Sequence, residues 1–469
     1  MEMLNITING KALSVPAGIT VLQAARDNGI IIPTLCFLEK LEPHASCRMC
    51  VVEIEGSRTL QHACAAKVRE GMVVNTDTDK VRASRKMTLE LLLSDHNVDC
   101  HHCLRQGASR CDDLDPRLCE SCFFCDCERD GFCELQTLAR EYKVDVLPFT
   151  QKHNAHVVDA TSAIVRNPNK CVKCKRCVDV CSKVQNVFNL SASGRGCDVV
   201  IGPALGKTMA ESSCIGCGRC AEVCPTGAIF IKEYKDEALY HAHAYNTETV
   251  CLLSASVLPE LEKLYKLPQG SLAVGQAAAA LKKIGIDHVY SEENILNAAN
   301  TVNAQKLDER LEKAGCIIYT DTPAAKKFML KNHPELTENC VFGTDVLSEF
   351  AQTVSATVPN AKRYMVSANN GFAQAAAETG AVDFFINTRE LYRIFLRTGG
   401  APQRRLPTEP EKLFNTDNCA RYSELFRDNH WEIGGEATEI NLHENGRELR
   451  ALICHNPAQF NSALKQIAD

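Results

Sequence analysis

Cys171-Val-Lys-Cys174-Lys-Arg-Cys177-Val-Asp-Val-Cys181 and, further on, Cys214-Ile-Gly-Cys217-Gly-Arg-Cys220-Ala-Glu-Val-Cys224-Pro225 place four cysteines at the same intervals twice. One spacing repeated within a chain marks an internal duplication. Three thiolates so close together can wrap three corners of an iron–sulfur cubane, with a fourth thiolate closing it. Zinc is the competing metal, but structural zinc sites take separated pairs rather than triplets. The eight belong to a total of 26 cysteines in 469 residues, against one tryptophan. Four more lie at Cys36, Cys47, Cys50 and Cys64, and eight fall between Cys100 and Cys133. The other six (Cys197, Cys251, Cys316, Cys340, Cys419, Cys454) have no neighbour at ligand spacing and read as small buried apolar side chains. The clustering is confined to the first half, so a metal-rich front joins a cysteine-poor back.

Composition narrows the class. Hydrophobic residues at 45% and charged residues at 23% are those of a globular chain, and a net charge of −6 argues against a broad surface for nucleic acid. No run reaches the roughly 18 apolar residues that cross a bilayer, and residues 1–10 lack a basic region followed by an apolar core. The expectation is a cytoplasmic protein without a membrane span, where clustered cysteines bind metal rather than form disulfides.

The duplicated run resembles that of two-cluster bacterial ferredoxins, including the proline after Cys224; Ser182 takes its place after Cys181. In those ferredoxins the fourth cysteine of each run serves the other cluster. The resemblance implies one [4Fe-4S] cluster on Cys171, Cys174, Cys177 and Cys224, and a second on Cys214, Cys217, Cys220 and Cys181. Before it, Leu4, Ile6 and Ile8 alternate with polar residues, Asn9-Gly10 supplies a hairpin turn, and Thr20 can cap a short helix ending near Asn28-Gly29. Residues 51–54 read as a strand, and 81–93 as an amphipathic helix leading into His96. Cys36, Cys47, Cys50 and Cys64, within Ile32-Pro-Thr-Leu-Cys36 and Cys47-Arg-Met-Cys-Val-Val-Glu53, resemble the [2Fe-2S] site in the β-grasp front domain of the complex I large iron–sulfur subunit and of iron-only hydrogenases.

His96, Cys100 and Cys103 resemble the start of the one-histidine, three-cysteine [4Fe-4S] site of the same families, which closes on a cysteine followed by Glu-Leu-Gln. Cys133-Glu-Leu-Gln136 supplies that ending, but only after an insertion holding Cys111, Cys119, Cys122, Cys125 and Cys127. Two cubanes are expected here, in one of two partitions. Either Cys133 closes the histidine site and the insertion holds the extra cluster, or Cys111 closes it and Cys133 joins Cys119, Cys122 and Cys125 or Cys127. A zinc knuckle in the insertion is the competing reading, and His101 and His102 are read as outer residues.

From about 245 onward, short apolar runs (250–254, 316–319, 364–366) alternate with helical patterns (274–283, 324–331, 389–397), an α/β pattern with parallel strands. This stretch is similar to the hydrogen-forming domain of the electron-bifurcating hydrogenase family. Pro323-Ala-Ala-Lys-Lys-Phe328, His333-Pro-Glu-Leu336 and Val382-Asp-Phe-Phe-Ile-Asn-Thr-Arg-Glu-Leu391 carry the likeness. That family has two adjacent cysteines before the proline, where this chain has Asp321-Thr322, and a third in a loop that here reads Ser367-Ala-Asn-Asn370. Its final two-cysteine loop is not recognisable. Neither hydroxyl nor carboxylate replaces the thiolate bridges of that metal site, so the fold is kept and the H-cluster lost. Asp321 is read as a solvated or capping residue, and Lys326 and Lys327 as a charged helix face.

The expected fold is therefore multidomain α+β and α/β. It comprises a β-grasp [2Fe-2S] domain (1–78), a His/Cys [4Fe-4S] domain with a cysteine-rich insertion (79–160), a two-[4Fe-4S] ferredoxin domain (161–240) and a hydrogenase-like domain without H-cluster (241–469). No GxGxxG follows a strand, so hydride chemistry falls to a partner. The resemblance implies an electron-relay subunit of an electron-bifurcating oxidoreductase, with no substrate-converting site of its own. Its partners would be a flavin/NAD-binding subunit, a small thioredoxin-like [2Fe-2S] subunit, a [NiFe] hydrogenase or formate dehydrogenase, and ferredoxin. A catalytic iron-only hydrogenase, a complex I large subunit and a zinc-stabilised scaffold are the alternatives. The hydrogenase-like domain is read as a docking platform whose removal would leave the clusters intact.

Overall fold

In the computed structural model, strands Met3–Ile8 and Lys11–Pro16 pair antiparallel, with Ile6 opposite Leu13 and Leu4 opposite Val15. Asn9 and Gly10 both take positive φ (50° and 79°), the left-handed pair a two-residue hairpin turn needs. The structure describes residues 2–97, 127–129, 132–144, 148–149, 156–244, 247–311, 316–411, 438–444, 447–454, 459–460 and 463. Val73–Asn75 adds to the hairpin in parallel, and Val51–Ile54 and Gln61–His62 complete a five-stranded sheet. Helix Val21–Asp27 lies across it, the Thr20 hydroxyl accepting from Gln23 N at 3.2 Å. Ile6, Ile8, Val21, Leu22 and Val74 form the core beneath, which reaches Cys50 and Cys64. Burying each large aliphatic side chain contributes about 1.5–3 kcal/mol.

Helix Asp79–Ser94 begins at the Thr78 cap, two residues before the expected start, and packs Leu89 and Leu93 against Leu135 and Leu138 of helix Glu134–Glu141. The same apolar cluster takes in Cys36, Cys47, Cys133 and Cys174, so cysteines distant in sequence share one core.

The duplicated run lies on two short helices, Arg176–Asp179 and Arg219–Val223, flanked by the antiparallel pair Ile164–Arg166 and Ile229–Ile231. The departure from the ferredoxin pattern has a structural consequence. At Cys224, φ −67° and ψ 121° end the helix before Pro225, as proline demands of the residue preceding it. Ser182 imposes no such stop, and Val180–Val184 continues as a π-helical turn carrying Cys181. A hairpin, Leu190–Ser193 with Val200–Pro203, follows before the second run.

The back half contains two sheets where the strand pattern pointed to one parallel region. The first is wholly parallel, in the order His288–Ser291, Thr249–Leu253, Lys362–Val366, Phe384–Ile386. All five residues of Thr249–Leu253 are buried, because helices cover both faces. Val250 and Leu252 face Phe350 and Phe372; Cys251 and Leu253 face Leu281, Leu391 and Phe395. The second sheet runs Cys340–Phe342, Cys316–Thr320, Arg447–Ile453, Thr438–Glu444, its last pair antiparallel. Helices Val274–Lys283, Pro323–Asn332 and Thr388–Thr398 lie where the sequence places them. Among the described residues no helix is long and apolar enough to cross a membrane.

Candidate metal centres

Cys36, Cys47, Cys50 and Cys64 are all buried, at the edge of the front sheet. Ala45 and Arg48 take positive φ (50° and 56°) on either side of Cys47, winding the loop tightly enough to bring it beside Cys36. Such left-handed residues other than glycine cost of order 1–3 kcal/mol and cluster at functional sites. Leu35 N donates to Cys47 Sγ (3.4 Å), and Cys50 Sγ lies 3.3 Å from Cys64 Sγ. The thiols behave as one electrostatic unit. A hydrogen bond with Cys47 pulls Cys36 down to about 5, and the one shared by Cys50 and Cys64 lowers Cys50. Cys47 and Cys64 are pushed up by those same bonds and by burial. Four buried thiols that compete for protons are a set that iron relieves, since metal displaces the protons and compensates the thiolates.

The two repeats share a backbone. Lys173 and Lys175 (φ 53° and 64°) in the first occupy the left-handed positions of Gly216 and Gly218 (φ 75° and 71°) in the second. Lys173 N and Gly216 N donate to Cys171 Sγ and Cys214 Sγ, each at 3.4 Å. Only the second repeat needs glycine for space as well. A Cβ on Gly216 would lie 2.5 Å from the Gln374 side chain, and one on Gly218 would lie 2.8 Å from the Asn370 backbone.

Cys171, Cys174, Cys177 and Cys224 line one small cavity, which Pro225 and Ile229 help to close. Cys181, Cys214, Cys217 and Cys220 line a second, with Val180, Leu190 and Ile215. The last cysteine of each run thus turns away from its own run and faces the other. Burial pushes Cys171 up to about 11 and Cys174 and Cys217 to about 12, and raises Cys177, Cys181, Cys214 and Cys220 as well. The thiols surround a space rather than converge on a point. Among the described residues no group of three or more His, Cys, Asp or Glu side chains is arranged to hold a single metal ion. Cysteine quartets in apolar-lined cavities fit iron–sulfur clusters by donor chemistry.

Arginines at equivalent positions brace the repeats, a feature spacing alone does not reveal. Arg176 makes two bonds to Glu134 (2.7 and 3.0 Å), and Arg219 one to Glu222 (2.8 Å). Glu134 N also donates to Pro225 O (2.9 Å), tying the helix that starts at Cys133 to both runs. The only sequence signal was Glu134 itself, within the Cys-Glu-Leu-Gln ending.

His96 is buried just past helix Asp79–Ser94, and Asn97 N donates to Asn169 O (2.9 Å), beside the first run. Cys133 is buried, its thiol raised to about 11 by burial, with Cys127 and Cys224 close enough to add to the shift. Cys100, Cys103, Cys111, Cys119, Cys122 and Cys125, with His101 and His102, lie outside the described residues.

Of the six scattered cysteines, Cys251, Cys340 and Cys454 are buried in apolar clusters, and the side chains of Cys197, Cys316 and Cys419 lie outside the described residues. Thr322, not Asp321, is the N-cap residue of helix Pro323–Asn332; Asp321 is half-buried and accepts from Tyr319 Oη at 3.5 Å. Lys326 lies over the Phe342 ring (5.5 Å) and Lys327 pairs with Glu378, so that helix face is engaged rather than merely solvated. In the loop after Lys362–Val366, Ser367 Oγ accepts from Asn369 N and Asn369 Oδ1 from Gly371 N, a turn built from hydroxyl and amide groups without a thiol.

Residues 1–79 match a family model described as a 2Fe-2S iron-sulfur cluster binding domain, and residues 170–228 one described as a 4Fe-4S dicluster domain. Residues 247–426 match the C-terminal domain of the iron only hydrogenase large subunit. The NADP-reducing hydrogenase subunit HndD of Solidesulfovibrio fructosivorans is 32% identical over 431 residues, covering 85% of this chain and 69% of that protein. The mitochondrial NADH-ubiquinone oxidoreductase 78 kDa subunit of Candida albicans is 29% identical over 259 residues, 54% of this chain but 32% of that protein. Among solved structures, a chain of the NAD+-reducing [NiFe]-hydrogenase in its H2-reduced state matches 52% of this chain and 90% of its own length, at 26% identity and a TM-score of 0.41.

Proposed function

The chain belongs to the family of iron–sulfur hydrogenase subunits that includes HndD, and from that premise we propose that it is an electron-relay subunit of a cytoplasmic, NAD(H)- and ferredoxin-linked oxidoreductase of the electron-bifurcating type. The observation that carries the reading is the crossing of the two runs: each cavity is lined by three cysteines of one run and one of the other. Cys36, Cys47, Cys50 and Cys64 would hold a [2Fe-2S] cluster, and the two crossed quartets a [4Fe-4S] cluster each. His96 with Cys100, Cys103 and Cys133 or Cys111 would hold a third, and the insertion a fourth. Bound clusters supply one-electron chemistry over a wide span of potentials. The chain's own part is to bury the thiolates, aim backbone N–H groups at sulfur and brace the loops through Arg176 and Arg219.

Electrons would pass between a catalytic partner, a [NiFe] hydrogenase or formate dehydrogenase, and a flavin/NAD subunit, with the thioredoxin-like [2Fe-2S] subunit and ferredoxin as further partners. Catalysis of hydrogen formation by this chain is disfavoured. Asp321, Thr322 and residues 367–370 offer hydroxyl, carboxylate and amide groups, and the H-cluster needs thiolates. The test is oxygen-free purification, followed by dithionite reduction monitored by absorbance, paramagnetic resonance and hydrogen release. Brown protein that bleaches on reduction and releases no hydrogen is expected. Colourless protein, or hydrogen released by the chain alone, would overturn the proposal.

A further inference from the structure

The first parallel sheet of the back half ends on a cavity that the relay reading does not use. Strands Thr249–Leu253, Lys362–Val366 and Phe384–Ile386 run parallel, and the residues just past their carboxyl ends, among them Ser256, Asn370 and Thr388, line it. Open α/β sheets bind ligands at this edge. About 480 Å³ of the cavity admits water-sized molecules, within the roughly 300–1,000 Å³ of small-molecule sites.

Two helices begin at this cavity. Gly371–Thr379 starts after Asn370, and Thr388–Thr398 after Asn387, so both present the positive ends of their dipoles here. Two polar atoms at these starts are buried and have no hydrogen-bond partner: Thr388 Oγ1, on a residue 1% exposed, and Asn370 Oδ1. A buried hydroxyl left unpaired is costly, and a ligand hydrogen bond would recover that cost.

The charges favour an anion. Four glutamates line the cavity, and each has a basic partner: Glu222 with Arg219 (2.8 Å), Glu233 with Arg393 (3.0 Å), Glu260 with Arg389 (3.5 Å) and Glu128 with Lys170 (3.8 Å). Arg129 has no carboxylate partner among the described residues. It is 4% exposed and donates to two carbonyls, Ala221 O (2.5 Å) and Cys224 O (2.7 Å). Arg129 and Arg389 both line the cavity, and with Arg389 shared with Glu260 it is Arg129 that leaves positive charge without a carboxylate beside two helix starts.

We propose that this cavity binds a small organic oxyanion, a carboxylate or phosphate group held by Arg129 and Arg389, with the hydroxyl of Thr388 donating to it and the remaining volume taking its organic body. Arg219 lines both this cavity and that of Cys181, Cys214, Cys217 and Cys220, so the anion would lie next to the second cysteine quartet. The inference rests on a cavity walled by both halves of the chain and stands whether or not the chain relays electrons.

The test titrates the full chain, purified without oxygen in a chloride buffer, with inorganic phosphate and with acetate by calorimetry. Saturable binding of at least one in the millimolar range or tighter is expected. Preference for phosphate would identify a phosphorylated ligand, and preference for acetate a carboxylate. Because Arg129 braces the cysteine loops, the variants are R389L and T388V, with folding checked by circular dichroism. R389L should weaken binding about tenfold or more, as loss of a charge-assisted bond does, and T388V by less. Absence of saturable binding by either anion, or affinity unchanged in a folded R389L protein, would overturn the proposal.

Discussion

Alanine at Cys224 separates the crossed arrangement from its simplest rival, in which each run closes its own site. Cys224 ends the second run but lines the cavity of Cys171, Cys174 and Cys177, while Cys220, four residues earlier, lines the other. If each filled quartet carries four irons, C224A loses about four irons per chain, and those belong to the first run. The magnitude becomes decisive in double variants. Cys171 and Cys224 share a cavity, so C171A/C224A should lose no more iron than either single change. Cys214 and Cys224 lie in different cavities, so C214A/C224A should lose about eight irons, the sum expected of independent sites. The assay is metal analysis of oxygen-free, cluster-reconstituted protein, with circular dichroism confirming that each variant is folded. The opposite pattern, additive loss in C171A/C224A and none beyond the single change in C214A/C224A, would refute the crossed reading.

Three further outcomes follow from buried groups. C251A should leave iron unchanged and cost about 1 kcal/mol in denaturant unfolding, because Cys251 only fills space between sheet and helices; loss of iron would give it a ligand role. Arg85 donates to Val51 O (2.8 Å) and Tyr142 Oη (2.9 Å), so R85A should destabilise by about 1.5–3 kcal/mol, and a change below about 0.5 would mean that both acceptors find other donors. Burial, then the negative charge of Glu233, raises Glu390 above its ordinary 4.5, although Tyr234 N donates to its Oε1 at 2.5 Å. A carboxyl raised in the folded state gives stability below pH 4.5 that is lost as pH rises through the folded value. E390Q never ionises, so its melting temperature should gain on the parent's as pH rises above 4.5, and a gap that stays constant with pH would show that Glu390 does not titrate in the folded protein.

What the sequence made legible was local. Asn9-Gly10 between alternating runs forces a hairpin, Thr20 caps its helix, and Val274–Lys283 forms where its apolar pattern places it. The cysteine intervals were legible because cluster ligands must come close along the chain. Pairing between distant segments left no such mark. Cys316–Thr320 pairs with Arg447–Ile453, more than a hundred residues away, so one expected parallel region became two sheets. Phe384–Ile386 is a strand hidden in a stretch that reads equally well as buried helix, since three apolar residues have no period. The role of Glu134 was illegible for the same reason: its partner, Arg176, is brought to it only by the folded chain.

The duplicated unit and the parallel sheet of the back half share one core. Ile164, Cys177, Cys220, Ala221 and Ile229 of the duplicated unit pack in the same buried cluster as Val250, Leu252, Met365 and Phe372 of the parallel sheet. Ala163 N donates to Gln374 Oε1 (2.9 Å), and Gly216 and Gly218 leave room for Gln374 and Asn370. A platform that could be removed without touching the cysteine quartets would meet them through a polar interface, and this one meets them through shared apolar core. Cutting it away would remove half of that cluster and the contacts of Gln374 and Asn370 with the second cysteine loop. Both cysteine cavities are walled by the duplicated unit itself, so substitutions in the core of the parallel sheet would act on the packing behind those walls rather than on the cavity linings.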